Sequence, residues 1–378
     1  MEFKDNIIRI LKNIPGRKTN RKIVCIFIDD FGSIRTKDKN AYLNLKKAGL
    51  NMDSNRYAKF DTLASTEDLQ MLFETLTSVK DYNGKYACLT PFVNIANPDF
   101  DKIKENNFTT YYREPFTETL RKYGTSHEGS FALWKEGIAN NIFHPAYHGT
   151  EHINVKRFME QLQGKQKSTM LGFDNESVCV PRFDNEPKFN RDSTVFYIEK
   201  KEENESLKQD IKTGMKMFED ILGYRSKQFT PGAGCYSPLL DITLKEEGIH
   251  YINANRYYPY PLGDNQFVKK FLFNGKSNTL GQIYVVRNCV FEPYLDNCIP
   301  NKNAISNCIK NIEAAFLLHA PVIISTHRVN FVGSLDSEHR NDSISQLKIL
   351  LNEIVKRWPN VEFMNGDEMC ETIFKITK

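Results

Sequence analysis

The chain has 378 residues, 26% charged, 40% hydrophobic and 12% aromatic, the make-up of a folded protein with room for a substantial core. Its 51 Lys and Arg against 47 Asp and Glu leave +4, too weak a bias to argue for nucleic acid or a membrane surface as partner. The longest apolar runs, 23–28 and 314–324, are too short for a membrane span, and the first residues carry no apolar secretory segment. Eight cysteines stand singly with no C-x-x-C pair, which argues against a disulfide framework or a zinc ribbon and leads to the expectation of a cytoplasmic protein.

In chain order, short apolar strands alternate with amphipathic helices. Strands are predicted at 22–28, 84–93, 142–147, 227–231, 249–253, 283–287, 321–326 and 361–364. Helices are predicted at 66–79, 131–139, 155–163, 207–222, 238–247, 304–318, 343–357 and 367–374. Such alternation predicts an α/β protein with a parallel sheet, open or closed into a barrel. Two polar stretches, 98–126 and 168–205, read as long surface inserts, and 1–20 as an N-terminal extension. Strand–helix alternation resumes after each insert, so 1–378 is expected to form one domain.

Three predicted strand ends carry groups that can do chemistry. Asp29 and Asp30 follow the first apolar strand, where α/β proteins place their sites. On extended backbone they point opposite ways, so one is free to bind a metal while the other acts as a base; a solvated Asp-opened turn is the plainer alternative. His148 and His152 flank a turn through Gly149 and Thr150, ahead of a helix capped by Asn154. Converging from a strand end and a turn, two neutral imidazoles suit a borderline metal such as zinc. Four of the eight histidines fall between 127 and 152, which favours a cluster over scattered single roles. His327 follows the strand 321–326, where a general acid or base reaches a sheet-edge site. The motifs H-E-x-x-H, G-x-S-x-G and G-x-G-x-x-G are absent, and the P-loop spacing fails because Lys270 stands where its first glycine belongs. Cys235 in a glycine-rich turn is a weak alternative nucleophile.

In this order the motifs resemble those of the polysaccharide deacetylase superfamily of metal-dependent carbohydrate esterases. The strings DDFGSIR from Asp29, HGTEHINV from His148, RNCVFEP from Arg287 and STHRVN from Ser325 carry the likeness, with Pro231 and Gly232 between them. The resemblance implies a distorted, seven-stranded (β/α) barrel with the two inserts on its surface. It implies Asp30, His148 and His152 as ligands of a divalent metal, zinc first, with cobalt, nickel or manganese as alternatives. Asp29 would be the base that activates water, and His327 the acid that protonates the leaving group. Pro231 and Gly232 would line the substrate site, with a backbone N–H near Gly232 or Ala233 facing an oxyanion. Where the family carries an arginine ahead of the proline turn, this chain has Thr230, and Arg287 and Arg328 are the candidates to supply that charge at the substrate site. The family's tryptophan beside the acid has no counterpart, since only Trp134 and Trp358 exist. The implied activity is removal of an acetyl group from an acetylated sugar or polysaccharide intermediate, with no nucleic acid partner. The alternatives are a glycoside or other C–N hydrolase on the same fold, and a non-catalytic glycan-binding or assembly protein.

Overall fold

A computed structural model describes residues 2–187 and 192–374. Its centre is an all-parallel sheet, built from β-branched and aromatic runs that are buried on both faces. Its strands are β1 (Lys22–Phe31), β2 (Leu89–Asn94), β3 (Ala146–Gly149), β4 (Gln228–Phe229) and β5 (Tyr251–Asn253). They continue with β6, in two pieces (Ile283–Val285 and Cys289–Val290), and β7 (Val322–His327).

The spatial order along the sheet is first piece of β6, β5, β4, β3, β2, β1, β7, second piece of β6. The first piece of β6 pairs with β5 and the second with β7, so one interrupted strand brings the sheet back on itself. Counted once, it makes the seven strands of a distorted (β/α) barrel. A further strand, Val361–Phe363, pairs with the start of β1 beside these seven.

Alternation along the strands sorts the core into two layers. Ile23, Cys25 and Phe27 of β1, Phe92, Ala146, Ile283, Val285 and Ile323 form the cluster inside the barrel. Val24, Ile26, Ile28, Leu89, Val93, Tyr147 and Ile324 belong to the larger cluster facing the surrounding helices. The C-terminal helix Gly366–Phe374 adds Met369, Cys370 and Phe374 to the inner cluster.

The long helices lie close to their predicted ranges: Thr66–Thr77, Val155–Gln163, Glu203–Leu222, Ala304–Leu317 and Ser337–Arg357. The inserts are more structured than their polar composition suggested. Residues 98–126 hold the helices Phe100–Glu105 and Phe116–Lys122 and the start of Thr125–Glu128, and residues 168–205 include most of the helix Lys167–Asp174. A hairpin of Tyr257–Gly263 with Gln266–Phe271 and an N-terminal helix, Glu2–Leu11, were not anticipated. All eight cysteines are outside disulfides. No helix among the described residues is long and apolar enough to cross a membrane.

Candidate metal and hydrolytic centre

The inward-facing series on four strands run out into the site. On β1 the series 23, 25, 27 ends at Asp29; on β3, Ala146 is followed by His148; on β6, Val285 by Arg287; on β7, Ile323 and Ser325 by His327. Register pairs Asp29 directly with His327 across β1 and β7. These side chains line one pocket of about 1020 Å³ together with Asp30, His152, Thr230 and Pro231.

Asp30 departs from the simple alternation expected of a strand. The β1–β2 register shifts between Ile28 and Phe31, and Asp30 adopts φ 78°, so it faces the same pocket as Asp29. Gly32 follows at φ +80°, where a Cβ would lie 2.1 Å from the Asn94 carbonyl oxygen; only glycine lets β1 leave the sheet here.

His148 and His152 sit on the strand end and turn that the sequence suggested. Gly149 turns at φ +126°, and the Asn154 side chain caps the helix Val155–Gln163 through the Arg157 N–H. Buried Glu151 anchors the turn between them by pairing with Arg113, which also meets Asp210. His148 Nδ1 donates to the Thr230 carbonyl at 2.7 Å, leaving a lone pair on Nε2, 3.4 Å from Asp30 Oδ1. His152 Nε2 lies 3.0 Å from the same oxygen. Burial lowers the His152 pKa against the pull of Asp30, which favours the neutral imidazole a metal needs.

These two imidazoles and the Asp30 carboxylate offer ligand atoms all within 4.8 Å of one another, and form the one such group among the described residues. His148 Nε2 is buried with no hydrogen-bond partner. A lone pair turned toward a carboxylate calls for a cation between them, so this donor set fits a divalent metal ion. The neighbouring histidines are occupied elsewhere: His127 contacts the Leu63 carbonyl, and His144 pairs with Asp367.

Asp29 lies beside the cluster and is held differently. Arg287 grips it through two bonds of 2.6 Å and also donates to Ser325 at 3.0 Å and to the Thr230 hydroxyl at 3.4 Å. Burial raises the Asp29 pKa, but the Arg287 charge outweighs it and holds the carboxyl below its usual value. Thr230 therefore does not leave a hole where the family has arginine. It steadies Arg287 with its hydroxyl and His148 with its carbonyl. Arg328 is turned away: it is fully buried on Asp61 and the Ser33 carbonyl and lines no part of the pocket, so the structure does not place it at the substrate site.

Opposite Asp29, His327 presents Nε2 at 3.8 Å from Asp29 Oδ2 and bonds through Nδ1 to Glu292 at 2.6 Å. Burial alone would lower its pKa, but Glu292, Asp30 and Asp29 push it up to about 9. Glu292 is in turn fixed by Arg56 and Asn330. With Nδ1 committed to Glu292, the protonated ring turns an N–H toward the pocket. Tyr57 packs edge-on against His327 at 5.9 Å, while Trp134 and Trp358 serve the core against Phe116 and Phe316. Glu292 and Asn330 lie inside strings quoted for the family likeness, yet no spacing marks them, and Tyr57 lies outside every motif.

Pro231 lines the pocket, followed by Ala233 and Gly234, whereas Gly232 lies just behind, where a Cβ would approach His152 Nε2 to 3.5 Å. The bonds of the single turn run from Gly234 to Pro231 and from Cys235 to Gly232, and do not use the Gly232 and Ala233 N–H groups. Cys235 is buried and lines no part of the pocket.

No protein-family model matches the chain, and no curated protein matches it in sequence. The chain is similar to a protein of the polysaccharide deacetylase kind from Mycobacterium smegmatis, at 12% identity over 95% of this chain and 93% of that one, TM-score 0.46. It is similar to a GH57-type branching enzyme from Pyrococcus horikoshii at 11% identity, over 95% and 71% of the two chains, TM-score 0.46. A family 4 acetyl xylan esterase from Clostridium thermocellum gives 10% identity over 93% and 91%, TM-score 0.35. Likenesses this distant, to esterases and to α-glucan enzymes alike, leave the chemistry to be read from the residues.

Proposed function

We propose that the protein is a metal-dependent hydrolase that removes an acetyl group from an acetylated sugar or glycan intermediate. The observation that carries this reading is the pairing of a three-ligand cluster, Asp30, His148 and His152, with an arginine-held carboxylate on one side and a carboxylate-held histidine on the other. Asp30, His148 and His152 would hold a divalent ion, zinc the first choice, which would supply Lewis acidity to a hydrolytic water and an acyl carbonyl. Asp29, kept ionised by Arg287, takes a proton from the attacking water. His327, kept protonated by Glu292, gives a proton to the leaving sugar nitrogen or oxygen. Of the two backbone donors considered at this turn, Gly232 or Ala233, the Ala233 N–H belongs to a pocket-lining residue and supplies a hydrogen bond to the developing oxyanion.

A non-catalytic glycan-binding protein would bind sugar without retaining metal or releasing acetate. A glycosidase of the same fold would free a reducing sugar rather than acetate. The test is acetate release from a panel of acetylated sugars, with zinc, cobalt, nickel or manganese added to stripped protein. Activity should depend on the metal, and Asp30→Ala or His152→Ala should lose both metal retention and activity. Full activity in stripped protein or in either variant would overturn the mechanism.

A further inference from the structure

The net charge of +4 is not spread over the chain. Residues 1–22 carry seven Lys or Arg against Glu2 and Asp5, a net of +5, so the remainder of the chain nets −1. The same segment forms the helix Glu2–Leu11 and continues through Ile14 and Pro15 along the outside of the barrel.

This helix is mounted the opposite way from an ordinary surface helix, which buries its apolar stripe and shows its polar face. Here the polar side faces the protein. Arg9 donates to Asn307 at 3.0 Å, Lys12 donates to Asn311, and the Asn13 oxygen accepts from Asn288 at 2.9 Å. Four apolar residues point outward, Ile7 40% exposed, Ile8 51%, Leu11 53% and Ile14 56%, while Ile10 is half-buried. Ile7, Ile8 and Leu11, spaced i, i+1, i+4, make one stripe on the helix, and exposed Ile14 follows in the turn just past its end. Arg9 and Lys12 meet neutral asparagines of the helix Ala304–Leu317, and Arg17 and Lys18 are exposed just beyond the stripe.

We propose that this N-terminal helix docks the protein onto an anionic lipid surface, seating Ile7, Ile8, Leu11 and Ile14 among the acyl chains with the basic residues at headgroup level. The alternative occupant of such a stripe is a second copy of the chain. Arg21 is paired with Glu362 and Lys22 begins β1, but residues 1–20 still carry a net positive charge; twofold pairing would bring two such segments face to face, which repel, whereas an anionic bilayer complements both the charge and the apolar stripe.

The test uses the whole protein and does not depend on any activity. Flotation is measured with vesicles of phosphatidylcholine alone and of phosphatidylcholine with phosphatidylglycerol in equal parts, at low and high salt. The protein should float only with the anionic vesicles, and high salt should weaken binding by about tenfold or more. Ile8→Asp with Leu11→Asp should abolish flotation while leaving the circular dichroism and melting of the parent, since both side chains are already in solvent. Arg17→Glu with Lys18→Glu should weaken binding with the stripe intact. Absence of flotation with either vesicle, or equal flotation with both, overturns the proposal. So does a parent dimer in sedimentation that Ile8→Asp with Leu11→Asp splits into monomers, which would assign the stripe to a second copy.

Discussion

Two arginine–aspartate pairs lie near the same barrel mouth and differ in what surrounds them. Arg287 and Asp29 are 16% and 10% exposed and look into the pocket; Arg328 and Asp61 are each 1% exposed and sealed behind it. Both arginines sit just past a sheet strand and were equal candidates for the charge near Asp29. Local backbone separates them: Arg287 continues the inward series of β6 and reaches Asp29, whereas Arg328 opens the 3-10 turn Arg328–Phe331 just after β7 and is bonded to Asp61 and the Ser33 carbonyl behind the pocket.

The sharpest way to break this comparison is at the sealed pair. Arg328→Ala leaves Asp61 buried without its partner and should cost about 3–5 kcal/mol of stability. Thermal melting should fall by many degrees, and an unchanged melting point would show that the pair is not structural. Next comes the open pair. Arg287→Ala should lower the rate of acetate release by about 10–100-fold, as expected for loss of a group that orients a catalytic carboxylate, with only a small change in melting. Arg287→Lys should not restore the rate, because a single ammonium cannot hold both carboxylate oxygens. Rescue by lysine would mean that only charge matters there.

The smallest effect is expected at the second carboxylate of the site. Against burial, Glu292, with smaller help from Asp30 and Asp29, raises the His327 pKa to about 9, so His327 is an acid at pH values below that. Glu292→Gln removes the raising charge, and the alkaline limb of the rate profile should move to lower pH by about one unit. A limb that stays in place would remove His327 from the role of acid.

Much of the site could be read in the sequence because it is carried by strand ends. Asp29, His148 and His327 each close an apolar run, and period-two alternation then fixes their direction. Asp30 was legible as a residue but not as a geometry. Its turn into the pocket depends on a register shift against β2, a long-range pairing that local sequence does not encode. Glu292 sits past a two-residue strand piece, too short to show a period, and its role appears only when His327 arrives from another part of the chain. The inverted N-terminal helix was hidden for a different reason. Its charge was diluted in the whole-chain sum, where +4 over 378 residues looks like a weak general bias, and its apolar stripe, read as sequence, looks like one that would be buried.

One consequence of the β1 bulge concerns robustness rather than chemistry. Asp30 holds a left-handed backbone at φ 78° in a buried position, a conformation that disfavours side chains by about 1–3 kcal/mol. Glycine would relax the backbone there, but it would take away the carboxylate that completes the ligand set. At this position backbone ease and the candidate ligand set pull in opposite directions: a change that favours one works against the other.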